Sequence, residues 1–146
     1  MKHRALSYSL LALIIVAAGI QFIQPKRTNP QVDLQMTFEA VVKPSPEISA
    51  ILHRSCYDCH SNSTRWPWYS HVAPASWLVA DDVKEGRQHM NFSEWGRLSK
   101  EAAQSKLEDI RNEVSSGDMP LWQYRLIHKE ARLSQANKDN LCKIKK

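Results

Sequence analysis

No stretch of this sequence alternates apolar and polar residues with the period of two that a half-buried strand needs. None repeats at a fixed interval or falls to low complexity. Sheet and solenoid architectures are thereby excluded, and the fold class expected is all-α. With 146 residues, 42% of them hydrophobic and 24% charged, the chain can bury one core and hardly two. A basic stripe is missing as well. The formal net charge is +5, but Lys2, Arg4, Lys26 and Arg27 flank the N-terminal apolar stretch, and taking these four from the 20 Lys+Arg leaves 16 against 15 Asp+Glu. Phosphate backbones require clustered positive charge, so a nucleic-acid partner is excluded.

Charge is absent altogether from residues 5–23, ALSYSLLALIIVAAGIQFI, a run of 19 residues. An α-helix needs roughly 20 to cross the hydrocarbon core of a bilayer. The reading is a transmembrane anchor preceded by a cytoplasmic tail, residues 1–4. A cleaved signal peptide is the alternative, since Val16, Ala17 and Ala18 offer small residues for cleavage, although Gly19 to Ile23 continue the apolar run. Flanking charges are nearly balanced and set no clear orientation. Either reading carries the remainder across a membrane into an oxidising compartment.

Four prolines within residues 24–46 mark a partly extended spacer, with Met36 and Phe38 expected on the surface of the domain that follows, residues 47–146. Pro46 and Glu47 open a helix in which Ile48, Ile51, Leu52, Ser55, Cys56 and Cys59 recur at three- and four-residue steps, placing both thiols on its apolar face. Residues 74–86 form a second helix with Trp77, Ala80 and Val83 inward and Gly86 near its end. Ser99 caps a third, striped by Ala103, Leu107, Ile110 and Val114 and closed by Gly117. A last helix runs from Ser134 to about Ile144, with Leu141 and Ile144 inward.

The chain has only three cysteines, and two stand three positions apart in SCYDCHSNSTRWPWYSH, residues 55–71. Shuffling the same residues produces a C-x-x-C-H string in only about 0.2% of sequences, so the motif asks for a chemical reason. Thiols at i and i+3 on a helical turn face one way and can each form a thioether with a haem vinyl group, while the next imidazole sits beneath the iron. Cys56 and Cys59 are thus candidate covalent haem attachments and His60 the proximal iron ligand. A zinc site would draw on Cys56, Cys59 and two of His53, His60 and His71, but no second spaced pair follows. A dithiol redox couple would open a helix in a βαβ unit, whereas this pair ends one.

Haem calls for a sixth ligand, and SSGDMPLWQY sets Met119 on a loop between a flexible Gly117 and a stiffening Pro120. His71, His89, Met90 or an open site are the alternatives. Trp66, Trp68, Tyr69, Trp77, Trp95, Trp122 and Tyr124 are candidates to wall an apolar porphyrin. Arg65 and Arg87 are candidates to pair with its propionates, against the plainer role of surface charge. His53 is expected exposed, and Cys142 a buried inert thiol.

SCYDCHSNSTRWPWYSHVAPASWLVADDVKEGR, NFSEW and SSGDMPLWQYRLIHKEARLS together resemble the bacterial haem-binding domain family, cytochrome c-like modules usually preceded by a signal or anchor. The resemblance runs from about Pro25 to the C-terminus. It implies a small cytochrome c-like helical domain around one covalent haem c, with Cys56 and Cys59 as attachments, His60 proximal and Met119 distal. Members often have a cysteine where this chain has Arg111 and an aromatic where Lys143 follows Cys142, so a covalent staple is missing and the packing of the last helix is open. The resulting expectation is a monohaem c-type cytochrome that transfers electrons and is not an enzyme, held by a single pass in the bacterial inner membrane with its haem domain in the periplasm, or soluble there if the signal is cleaved. Its redox partner is not legible. The alternative is a haem-based sensor or haem enzyme whose sixth iron position is open or exchangeable.

Overall fold

The computed structural model describes residues 2–144; Met1, in the tail read as cytoplasmic, and Lys145 and Lys146, at the end of the expected domain, lie outside the described residues. As expected, the described residues are helical and hold no strand. In chain order they form α1 (Lys2–Ile20), α2 (Phe38–Val42), α3 (Pro46–Ser55), α4 (Tyr57–His60), α5 (Ala75–His89), α6 (Lys100–Ser116), α7 (Trp122–Ile127) and α8 (Gln135–Cys142). Short 3-10 turns occupy Trp68–His71, Phe92–Arg97 and Lys129–Ala131. Contacts divide the chain into two units, Met1–Thr28 with Trp66–Asp82, and Asn29–Arg65 with Val83–Lys146.

In the first unit α1 stops at Ile20 and residues 21–22 turn. The Gln21 side-chain amide donates to the Ala17 and Ala73 carbonyls, each at 3.0 Å, and its oxygen accepts from the Ala73 N–H at 2.9 Å. Trp77 Nε1 donates to the Ile23 carbonyl at 2.6 Å. Satisfying both ends of one amide on folded backbone takes residues 21–23 out of the helix. Among the described residues no helix is long and apolar enough to cross a membrane, so the transmembrane helix expected over 5–23 finds no matching element. Leu6, Leu10, Leu11, Leu13 and Ile14 of α1 nonetheless stand exposed.

The second unit is built on aromatic contacts. Phe38, fully buried, meets Phe92 edge-on at 5.3 Å and Trp95 edge-on at 4.7 Å, while the Tyr57 ring stacks on Phe92 at 4.9 Å. Ile51 and Leu52 of α3, the stripe Ala103, Leu107, Ile110 and Val114 of α6, and Leu141 and Ile144 complete the core. Phe38 was expected on the domain surface; it is instead at the centre. Thr37 caps α2 by accepting from the Ala40 N–H, and that one-turn helix is too short to show a period of its own.

Caps match the sequence closely at α3, α6 and α8. Ser45, Ser99 and Ser134 each accept a first-turn N–H, and Gly117 ends α6 at φ 86°, a left-handed conformation open to glycine. Two helices end elsewhere than expected. The helix from Pro46 was expected to run through Cys59, but α3 stops at Ser55 and Cys56 leaves helical geometry at φ −128°, ψ −36°. The break turns Tyr57 and Asp58 inward, which an unbroken helix would not do, so tertiary packing overrides periodicity. The second helix passes Gly86 and ends at His89.

Arg111 braces the end of α8. Its guanidinium donates to the Cys142 carbonyl at 3.1 Å and to the Ile144 carbonyl at 2.8 Å, holding carbonyls at the end of α8 that have no helical partner. Arg54 adds a link from α3, to Asn137 Oδ1 at 3.0 Å.

Truncating Phe38→Ala removes a ring with aromatic partners on two sides, and a loss of about 3–5 kcal/mol in denaturant unfolding is expected. A loss below about 1 kcal/mol would mean that the residue is not central to the core.

Candidate functional site

One tight turn gathers the cysteine motif. The Cys56 carbonyl accepts from the Cys59 N–H at 3.2 Å and the His60 N–H at 2.9 Å, so both thiols and the imidazole belong to a single reversal of backbone. α5 crosses it closely. A Cβ on Gly86 would stand 2.7 Å from the Cys59 carbonyl oxygen, closer than real Cβ atoms come, so glycine is needed there for approach and not for helix ending.

His60 is fixed by its far edge. Its Nδ1 lies 3.2 Å from the Met90 carbonyl, and since a carbonyl only accepts, Nδ1 carries the proton and Nε2 keeps a lone pair for a metal. Burial lowers the imidazole pKa below its ordinary value, against a smaller opposing pull from the Met90 and Gly86 carbonyls. The ring is therefore held as a neutral donor. Met90 itself lies half-buried, its carbonyl on the Nδ1 edge of His60 and its side chain packed against the core.

The thiol of Cys56 is pushed up to about 12, by burial first and by neighbouring Cys59 second. Reactive dithiols work by the opposite shift, so the geometry disfavours a redox couple. Zinc lacks its donors: among the described residues no three His, Cys, Asp or Glu side chains converge. His53, a candidate for that site, is exposed as expected and pairs through Nε2 with Glu39 at 3.2 Å.

The two residues between the cysteines lock the turn on opposite sides. Tyr57 donates its hydroxyl to the Glu39 carboxylate of α2 and lays its ring on Phe92. Asp58 is buried and accepts from Arg65 through the backbone N–H at 3.2 Å, Nε at 3.1 Å and a terminal nitrogen at 3.2 Å, and from the Tyr124 hydroxyl of α7 at 2.7 Å. Arg65 is thus paired within the protein and not set aside for a propionate. Arg87 likewise holds the loop after the motif, donating to the Ser61 carbonyl at 2.8 Å, Thr64 Oγ1 at 2.8 Å and Asn29 Oδ1 at 2.9 Å. Nothing local hinted at the Asp58 network beyond an acid placed inside an otherwise inward-facing motif.

Met119 stands half-buried on the loop between α6 and α7, its N–H donating to the Glu113 carbonyl at 3.1 Å and its bond to Pro120 cis. His89 is exposed at the end of α5, and His71 is exposed in the first unit. Among the aromatics expected to wall a porphyrin, Trp95 belongs to the core instead, whereas Trp122 is 63% exposed on α7. Trp68 and Trp77 of the first unit are exposed too. Cys142 is half-buried, its sulfur 3.6 Å from Ser115 Oγ.

This donor set fits a haem: two thiols, that of Cys56 held neutral by burial, and an imidazole with its Nε2 lone pair available, on one turn. Ser55 Oγ and Gln123 Oε1, one beside Cys56 and one on α7, are buried without a hydrogen-bond partner among the described residues, a state that favours a further group nearby. A turn so equipped marks a haem-binding module. The chain belongs to the haem-binding domain family, whose family model matches residues 15–146. No curated protein and no solved structure matches it.

Because its thiol is held protonated, Cys56 in the haem-free chain should react with iodoacetamide at pH 8 at least about tenfold more slowly than in the denatured chain, read by mass spectrometry of the 55–60 peptide. Raising the pH toward 12 should close the gap. Equal rates at pH 8 would show an exposed, ordinary thiol.

Proposed function

We propose that the chain is a monohaem c-type cytochrome that carries electrons, with Cys56 and Cys59 as thioether attachments and His60 and Met119 as axial ligands. The observation that carries this reading is the Nδ1 hydrogen bond from His60 to the Met90 carbonyl, which leaves Nε2 with a lone pair on the same turn that carries both cysteines. When bound, the haem iron supplies one-electron ferrous–ferric chemistry. The residues supply the rest. Carbonyl-bonded Nδ1 holds the imidazole in one tautomer and strengthens Nε2 as a donor. A soft, neutral methionine sulfur favours ferrous iron and raises the potential, and no proton-transfer group is required. Apolar side chains around such a site keep water from the iron.

The location is part of the same proposal. Thioether formation from reduced thiols belongs, by the resemblance to c-type cytochromes, to the periplasm, and the exposed leucines of α1 support a membrane-attached or exported chain. A reporter active only outside the cytoplasm, fused after Lys146, should be active; a silent reporter with a stable fusion would contradict the placement.

Met119→Ala should lower the reduction potential by on the order of 0.1 V, remove the weak far-red band of methionine-ligated ferric haem, and let carbon monoxide bind the ferrous form rapidly. If the wild type already binds carbon monoxide at once and the substitution moves neither spectrum nor potential, the sixth position is open and a sensor or haem enzyme replaces the electron carrier.

A further inference from the structure

We propose that the hydrogen bond between Tyr124 and Asp58 positions Met119 for the iron, so that a residue inside the cysteine motif governs the ligand on the opposite side of the haem. The inference rests on Met119 being the sixth ligand, as proposed above.

The loop bearing Met119 is fixed at two ends. On the α6 side, Gly117 and Met119 both donate their N–H groups to the Glu113 carbonyl, at 3.2 and 3.1 Å. On the other side the chain enters α7, a helix of six residues none of which is fully buried, whose N-cap, Leu121, makes no side-chain cap and whose Arg125 carbonyl accepts from Arg132 Nε at 3.0 Å. Six residues are too few to hold a helix by its own hydrogen bonds, and α7 has no apolar face in the core to hold it by packing. The Tyr124 hydroxyl, 2.7 Å from Asp58 Oδ2, ties it to the turn that carries Cys56, Cys59 and His60.

Asp58 can serve because it is itself immobilised. Arg65 binds both of its carboxylate oxygens, and its backbone carbonyl accepts from Thr64 Oγ1 at 2.8 Å. A hydrogen bond to a carboxylate already paired with a guanidinium fixes direction as well as distance. Loss of the Tyr124 hydroxyl leaves Asp58 still satisfied by Arg65, so the attachment turn should survive while the methionine loop loses its direct link to that turn. Tyr124 is in this sense a positioning residue: it acts on the iron through Met119.

The test compares full-length, haem-loaded wild type, Tyr124→Phe and Met119→Ala. Haem per chain after denaturation and far-ultraviolet helicity should be unchanged in Tyr124→Phe. Its ferric far-red band should weaken, its ferrous form should bind carbon monoxide at least about tenfold faster than wild type, and its potential should fall in the same direction as in Met119→Ala but by less. Asp58→Asn, whose side-chain oxygen still accepts from Tyr124, should keep more of the band than Tyr124→Phe. A Tyr124→Phe protein with wild-type band and wild-type carbon monoxide kinetics overturns the proposal. So does loss of haem or helicity in that variant, which would make the bond a general support of the fold. Should Met119→Ala itself leave the band unaltered, the ligand assignment has failed and the positioning role falls with it, whereas a changed Met119→Ala beside an unchanged Tyr124→Phe refutes the positioning role alone.

Discussion

Cys56 leaves helical geometry between α3 and α4, and the arrangement of the larger unit depends on that break. Had α3 continued, its apolar stripe would have carried both cysteines toward the core and left Tyr57 and Asp58 on its outer flank. The reversal brings these two inward as well. Tyr57 enters the aromatic cluster with Phe92, Phe38 and Trp95, and Asp58 is drawn into a buried polar network, while Cys56 still packs against the core and the Cys59 backbone lies where α5 crosses at Gly86. What a helix loses by stopping is offset by the stacked rings and by charge-assisted bonds to a buried carboxylate.

Each position in the motif therefore has a separate physical task. In the proposed reading the cysteines and the histidine hold the haem; the intervening tyrosine and aspartate anchor the turn to α2 and to α7. Fixing the histidine through a carbonyl on its Nδ1 and the turn through the two intervening side chains gives the preorganisation that a metal centre needs, since a ligand set held loosely costs affinity and blurs the potential. Arg111 and Arg54 brace α8 in a comparable manner, with guanidinium groups on backbone and amide oxygens.

Much of this was legible in the sequence, for identifiable reasons. Pro46 and Glu47 at the start of α3, serines at 99 and 134, the glycine at 117 and the stripe from Ala103 to Val114 are local signals, and the helices they mark begin where those signals put them. The haem-binding family could be recognised by resemblance because its motifs, the C-x-x-C-H string, NFSEW and GDMPLWQY, are written in consecutive residues. Long-range relations were hidden. Nothing local to Phe38 announces that it will lie between Phe92 and Trp95, nothing near Asp58 points 66 positions ahead to Tyr124, and a glycine at 86 looks like a helix end until the backbone of Cys59 is found against it. The apolar run 5–23 was read as a span from composition alone, whereas Gln21 bonds to Ala73, 52 residues away, and ends the helix at Ile20.

The central claim is that the turn from Cys56 to His60 holds a haem through two covalent bonds. Intact-mass measurement of the purified chain under denaturing conditions, followed by mapping of the modified peptide, tests it most directly. The account predicts a single species heavier than the bare chain by one haem, with the added mass on the peptide containing Cys56 and Cys59 and none on Cys142. A chain of unmodified mass, releasing its haem on denaturation, would contradict it.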